Sequence, residues 1–383
     1  MYHVRRKLLI VTEIIAPYRI PVFNALAHRN DIDLHVVFLA ETDETQRQWR
    51  VYKDEIRFSY QVLPSWRRRF GKYHCLINWG MLKALKQFSP NVIVCGGYNY
   101  VASWITLSWA RQHAVPMLLW VESTARDYRS GYTLVESLKT RFMRKCQSFV
   151  VPGKSSFQYL RNHGMNEETI FIAPNAVNAD FFASHAEAAR SDAASLRQKL
   201  RLPLHFFLFA GRMVPGKGVF DLLKAYMSQT PELRSLWGVV FVGNGPVLSE
   251  LQAQAAGMEN VQFAGFAQRE QLAVYYGLAD VFVFPTHTDP WGLVVNEAMA
   301  CKLPIIISDA AGCAEDLVED GWNGLKFVSG DTNQLAELMK NIAGDEQRRR
   351  EMGEHSYKRI QQYSPEICAN GIAAAALSQR NLG

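Results

Sequence analysis

The stretch FPTHTDPWGLVVNEAMACKLPIIIS, Phe284–Ser308, reads as the end of one strand, a loop, a helix and a second strand. The apolar run closing at Phe284 and the run LPIIIS do not alternate polar with apolar residues. Strands of that kind are covered on both faces, as in a parallel sheet flanked by crossover helices. The first strand ends at Pro285, the loop carries Asp289, and the helix begins around Gly292. Glu297 lies on that helix, eight residues after Asp289. Amides of Gly292, Leu293 and Val294 at the helix start suit a phosphate oxygen. Carboxylates on either side of them suit the hydroxyls of a sugar. A structural reading competes: Asp289-Pro290 has the form of an N-cap followed by a first-turn proline, and Glu297 that of an exposed helix residue.

The same unit repeats along the chain. Apolar runs begin at Lys7 (KLLIVTEI), Leu34, Asn91, Pro116, Ser148 and Thr169, then at His205, Gly238, Val261, Val281, Leu303 and Gly324. Each is followed by a mixed-polarity stretch long enough for a helix. Alternation throughout predicts an α/β protein. At 383 residues the chain is long enough for two domains of ~100–200 residues each. The boundary falls near IAPNAVNADFF (Ile172–Phe182), ahead of an Ala-rich polar stretch. That gives a first domain over 1–175 and a second over 176–363. A final helical segment, about 364–383, is a candidate to pack back on the first.

Composition is that of a soluble globular protein, 48% hydrophobic and 20% charged. The six cysteines form no C-x-x-C pair, so neither a zinc site nor a disulfide framework is expected, and a reducing compartment fits. The start, VRRKLLIVTEII, mimics a secretory signal, but Glu13 interrupts it and no small-residue cleavage site follows, so a buried first strand is expected. No run reaches the ~18 apolar residues of a membrane span. The expected location is cytoplasmic, with peripheral contact at the inner face of the membrane. Charge is uneven: residues 1–175 hold 24 Lys and Arg against 13 Asp and Glu, and the remainder 18 against 23. Basic residues sit beside aromatics in WRRRF (Trp66–Phe70) and KTRFMRK (Lys139–Lys145). Such patches attract anionic lipid or an anionic acceptor, although solvated faces explain them as well. No nucleic-acid motif accompanies the charge, and no nucleic-acid partner is expected.

Ligands of open α/β sheets bind beyond the carboxyl ends of the strands. In FAGRMVPGKG (Phe209–Gly218), Gly211 ends a strand, and Arg212 and Lys217 occupy a glycine-rich turn before a helix near Val219. Two cations and free amides would neutralise a diphosphate. FVGNGP (Phe241–Pro246) places Gly243, Asn244 and Gly245 at another strand end, where a flat ring or phosphate can approach the backbone. No G-x-G-x-x-G joins a strand to a helix, so a dinucleotide fingerprint is absent. Glu315 follows a small-residue turn in Ser308–Val328.

Five segments in order, PNAVNADFF, GRMVPGKG, VGNGP, the Asp289–Ile306 stretch and NGLKF, resemble glycosyltransferase family 4, the retaining enzymes with the GT-B fold, across residues 170–330. The resemblance implies two Rossmann-like domains with parallel sheets facing across a central cleft, the first binding acceptor and the second a nucleotide-sugar donor. It assigns Arg212 and Lys217 to the donor diphosphate. It places the family's pair of glutamates on Asp289, near the reacting sugar carbon, and Glu297, on the ribose. Asp289 departs from the pattern by one methylene. The first half resembles the family less closely: TEIIAPYRIPVFNAL lacks paired glycines, though a subset of members has an equivalent Pro-Tyr-Arg stretch. Where many members carry a histidine, this chain has Glu122. Glu122, Arg126 and Asp127 are cleft candidates, against a default reading as surface loops, and Arg126 and Asp127 with Tyr18, Arg19, Tyr98 and Asn99 are the acceptor-side candidates.

Breaking the bond between an anomeric carbon and a phosphate oxygen builds negative charge on the leaving diphosphate, which Arg212 and Lys217 would stabilise. The expected function is retaining transfer of a hexose from a UDP- or GDP-sugar to a glycan or lipid-linked acceptor. Arg212, Lys217, Asp289 and Glu122 would act in catalysis, with no metal or other cofactor. A nucleotide-sugar epimerase of the same fold and a non-catalytic nucleotide-sugar binder fit the same motifs.

Overall fold

All twelve apolar runs form strands in the computed structural model, which describes residues 5–43, 48–70, 73–126 and 133–379. One unit comprises Met1–Ala176 with Pro365–Gly383, and the other Val177–Ser364. The first contains β1 (Arg6–Thr12), β2 (Ile32–Phe38), β3 (Ser59–Val62), β4 (Ser65–Phe70), β5 (Tyr73–Asn78), β6 (Val92–Cys95), β7 (Met117–Trp120), β8 (Ser148–Val151) and β9 (Ile170–Ile172). Seven of these make a parallel sheet in the order β3-β2-β1-β6-β7-β8-β9, while β4 and β5 form a separate antiparallel hairpin. β6, β7 and β8 are buried at every position. Their apolar character throughout reflects helices covering both faces.

The second unit contains β10 (His205–Ala210), β11 (Trp237–Val242), β12 (Val261–Gly265), β13 (Val281–Phe284), β14 (Ile305–Ser308) and β15 (Gly324–Phe327). They form a parallel sheet in the order β12-β11-β10-β13-β14-β15. Phe206–Phe209, Val281–Phe284 and Ile305–Ile307 are at most 1% exposed and make the centre of its core. The direction of strand addition reverses between β10 and β13 here, and between β1 and β6 in the first unit. At such switch points the loops diverge and leave a crevice at the carboxyl edge.

β3 and the β4–β5 hairpin were not expected from the sequence. β3 lies at the sheet edge and is half exposed. The hairpin turns Leu76 inward and Trp66 outward, so it has no continuous apolar run. Helix Pro365–Leu377 packs on helix Ile20–Ala27 and on β9, burying Cys368, Ala369, Ile372, Ala373, Ala375 and Ala376 in the first unit's core. No helix among the described residues is long and apolar enough to cross a membrane. All six cysteines are free.

Candidate functional site

At the switch point of the second unit, the loops after β10 and β13 are fastened together. His287 N donates to Gly216 O at 3.0 Å, and Thr286 Oγ1, fully buried, lies 3.0 Å from the same carbonyl. Gly218 has φ 65°, and a Cβ there would sit 1.9 Å from Pro285 O. Only glycine permits this approach. The turn Pro215–Lys217 thereby holds Lys217 beside the other loop. Its Nζ is ion-paired with the Asp289 carboxylate and lies 3.4 Å from Thr288 O. Both side chains are about four-fifths buried. Lys217 and Asp289, 72 residues apart in sequence, therefore meet directly. Arg212 is exposed, and its side chain makes no hydrogen bond or ion pair among the described residues.

The structure corrects both structural readings of the acidic pair. Helix Leu293–Ala300 has Gly292, φ 97°, as its N-cap and no side-chain cap. Asp289 instead closes a turn, with Oδ1 accepting from Trp291 N at 3.0 Å and its carbonyl from Gly312 N at 2.9 Å. Its second oxygen faces Lys217. The amides of Leu293 and Val294 open a helix whose dipole favours an anion. Glu297 is partly buried, not an exposed helix residue. The Tyr276 hydroxyl, from helix Arg269–Leu278, lies 2.9 Å from its Oε2. Burial pushes the Glu297 carboxyl up to about 7, and the bond from Tyr276 offsets only part of that rise. Burial, reinforced by the neighbouring carboxyl, raises the Tyr276 phenol as well.

The glycines after β11 let neighbouring backbone approach closely. A Cβ on Gly243 would lie 1.9 Å from Gly211 O, and one on Gly245 would lie 2.2 Å from Met213 O. Met213 N also donates to Asn244 O at 2.9 Å. These residues seat the β11 loop against the loop bearing Arg212. Glu315 is exposed on the short helix Ala314–Leu317.

In the first unit, Glu122 follows β7 and Arg19 closes the turn Pro17–Arg19 after β1. Arg19 Nη2 is 2.8 Å from Glu122 Oε1, and Asn175 Nδ2 donates to the same oxygen at 3.2 Å. The Arg19 guanidinium lies 4.0 Å from the Trp120 ring centroid. Burial opposes its charge, but Glu122, aided by Tyr18, outweighs burial and raises its pKa. Glu122 is thus fixed through one oxygen by two donors. Tyr18 packs edge-on against Trp49. Tyr98 is directed toward Phe142 rather than toward Glu122, Asn99 is exposed, and Arg126 is exposed at a loop. Asp127 lies outside the described residues. Sequence reasoning gave no role to Asn175, Trp120 or Tyr276. Asn175 stood inside a quoted motif, whereas Tyr276 carried no local signal.

The family model described as "Glycosyl transferases group 1" matches residues 193–359, and "Glycosyltransferase Family 4" matches 24–181. Sulfoquinovosyl transferase SQD2 of Arabidopsis thaliana is 32% identical over 158 residues, 41% of this chain and 30% of that protein. Alpha-monoglucosyldiacylglycerol synthase of Acholeplasma laidlawii is 24% identical over 256 residues, 62% of each chain. The chain spans about half the length of the curated relatives it matches, from 30% to 62% for the first four. Among solved structures, HepE of Anabaena in complex with UDP superposes with a TM-score of 0.77 at 17% identity, covering 97% of this chain and all of that one. The sucrose-phosphate synthase of Thermosynechococcus elongatus gives 0.73 at 20%, over 97% and 98%. With both family models matched in order on two parallel-sheet units, the chain belongs to glycosyltransferase family 4, with the GT-B fold.

Proposed function

We propose that the chain transfers a hexose from a nucleoside-diphosphate sugar, with retention at the anomeric carbon, to a hydroxyl of a glycan or lipid-linked acceptor. The observation that carries this reading is the Lys217–Asp289 pair at the second unit's switch point, beside an uncapped helix start. In it, Lys217 and Arg212 take the diphosphate, with the backbone of Gly211, Gly292, Leu293 and Val294. Gly243, Asn244 and Gly245 shape the wall against which the nucleotide lies. Asp289 receives sugar hydroxyls and Glu297 those of the ribose. As the bond between the anomeric carbon and the phosphate oxygen breaks, its electron pair passes to the diphosphate. Fixed cations already in place stabilise that charge without reorganising. They supply the charge that a metal would otherwise bring, so transfer is expected to persist in a chelator.

Structural neighbours were solved with UDP and with UDP-glucose, and the name of one relative includes a glucosylated diacylglycerol. UDP-glucose is therefore the first donor to test. In the first unit, Glu122 is the foremost acceptor-side group, because Arg19 and Asn175 leave it one oxygen for a hydroxyl. A thermal-shift screen of the intact protein against UDP- and GDP-sugars tests the donor. A ligand at about 100 times its Kd adds about 2.7 kcal/mol, so one nucleotide class should raise Tm by several degrees. No shift with any nucleotide sugar would defeat the proposal. Conversion of donor with no acceptor present would point to the epimerase instead.

A further inference from the structure

Residues 56–121 contain eight Lys and Arg and no Asp or Glu. All 36 acidic residues fall in the other 317 positions, so this part of the first unit contributes no carboxylate of its own. Large apolar side chains are exposed elsewhere too, such as Leu204 and Leu236, but this segment holds both tryptophans that are exposed among the described residues, Trp66 at 42% and Trp79 at 57%, with Ile77 at 37% and Leu82 at 50%. They share one local frame. Trp66 stands opposite Ile77 in the β4–β5 ladder, on the face turned away from buried Leu76. Arg67, on the inner face, is occupied by Asp43 and Glu13. Trp79 N donates to Pro64 O at 3.1 Å, tying the far end of the hairpin to its start. Helix Met81–Phe88 then buries Met81, Ala84 and Leu85 and leaves Leu82, Lys83 and Lys86 outside.

The core does not account for these side chains. Exposed apolar groups gathered in one patch mark an interaction surface, and tryptophan beside lysine is the composition of a bilayer interface. The second basic cluster, Lys139–Lys145, is different. Its Phe142 and Met143 are fully buried, and Lys139 lies 4.7 Å from the Tyr159 ring centroid.

We propose that the outward side chains Trp66 and Ile77, Trp79 and helix Met81–Phe88 dock this protein on an anionic phospholipid surface. The two indole rings lie at headgroup level and Lys83 and Lys86 against lipid phosphates. The 66 residues add no carboxylate that would repel such a surface, and the acids that reach the hairpin, Glu13 and Asp43, are paired with Arg67. The docking face gives a lipid-linked acceptor a route to the enzyme, and that purpose rests on the proposed transfer. Docking itself needs neither donor nor acceptor.

The test is flotation of the intact protein with vesicles of phosphatidylcholine, alone or with about 30% phosphatidylglycerol. Binding is expected to the anionic vesicles, weakening as salt rises. Lys83→Ala with Lys86→Ala should lower partition about 30-fold, taking about 1 kcal/mol for each cation. Trp66→Ser with Trp79→Ser should lower it at unchanged charge, while Lys139→Ala should leave it as it was. Matching Tm values establish that the variants fold. Absence of vesicle binding by the intact protein, equal binding by the lysine or tryptophan variants, or capture of a single-stranded RNA with no vesicle binding would each overturn the proposal. Because no nucleotide is added, those failures are distinct from failure of the transfer reading, which the donor screen reports.

Discussion

Lys217 and Asp289 neutralise one another in the free protein, so under the proposed transfer an incoming diphosphate competes with a carboxylate for the cation. Lys217→Ala is expected to lower kcat by about 100-fold or more, the scale of losing one preorganised partner of a developing oxyanion. Near-normal turnover in a folded variant would remove Lys217 from that role. Asp289→Asn frees the lysine while deleting the proposed sugar ligand. Transfer should fall steeply while UDP affinity, read by calorimetry, stays level or rises. Glu297 supplies a pH dependence whose sign is fixed. Its carboxyl is raised from 4.5 to about 7 in the folded state, so between those values the native chain holds a proton that the unfolded chain has released. Stability therefore falls as pH rises through that window, by up to about 3 kcal/mol. Melting curves across it should flatten in Glu297→Gln. If ribose hydroxyls donate to the ionised group, nucleotide affinity should climb toward pH 7, with proton release detectable in calorimetry. The motifs named these residues, but nothing in the sequence brought Lys217 to Asp289. That meeting depends on β10 and β13 being neighbours, a property of strand order. Tyr276 was invisible for the same reason, since its partner is 21 residues away on another helix.

At the scale of elements, loop packing at the switch point is as exacting as core packing. Gly218→Ala would drive a Cβ into the Pro285 carbonyl at a backbone angle that alanine avoids. A loss of a few kcal/mol is expected, with a lower denaturation midpoint at unchanged slope. The runs most plainly legible as strands are covered on both faces, such as Val281–Phe284 and Ile305–Ser308, although the edge strands Val261–Gly265 and Ile170–Ile172 were legible too. The edge strand Ser59–Val62 and the hairpin after it were not, because one face of each meets solvent and the apolar signal is diluted. Glycine after a strand was legible as a close approach, but not what approaches. At Gly243 it is the Gly211 carbonyl.

At the scale of the whole molecule, the first unit is assembled from both ends of the sequence. Truncation before Pro365 would uncover the apolar core faces against which Ile372, Ala373 and Ala376 now pack. Differential scanning calorimetry should then show the Met1–Ala176 unit melting several degrees lower. Any UDP-dependent stabilisation of Val177–Ser364 should be retained. Equal melting of both forms would mean that the last helix contributes little.

That arrangement also dictates an order of events on the ribosome. The helix that completes the first sheet's cover is translated after all of Val177–Ser364. The amino-terminal body must therefore wait, unfinished, while the later-made body emerges and closes around its own sheet. For that interval the face reserved for Cys368 and Ile372 is bare hydrocarbon, and a nascent-chain chaperone would find it there.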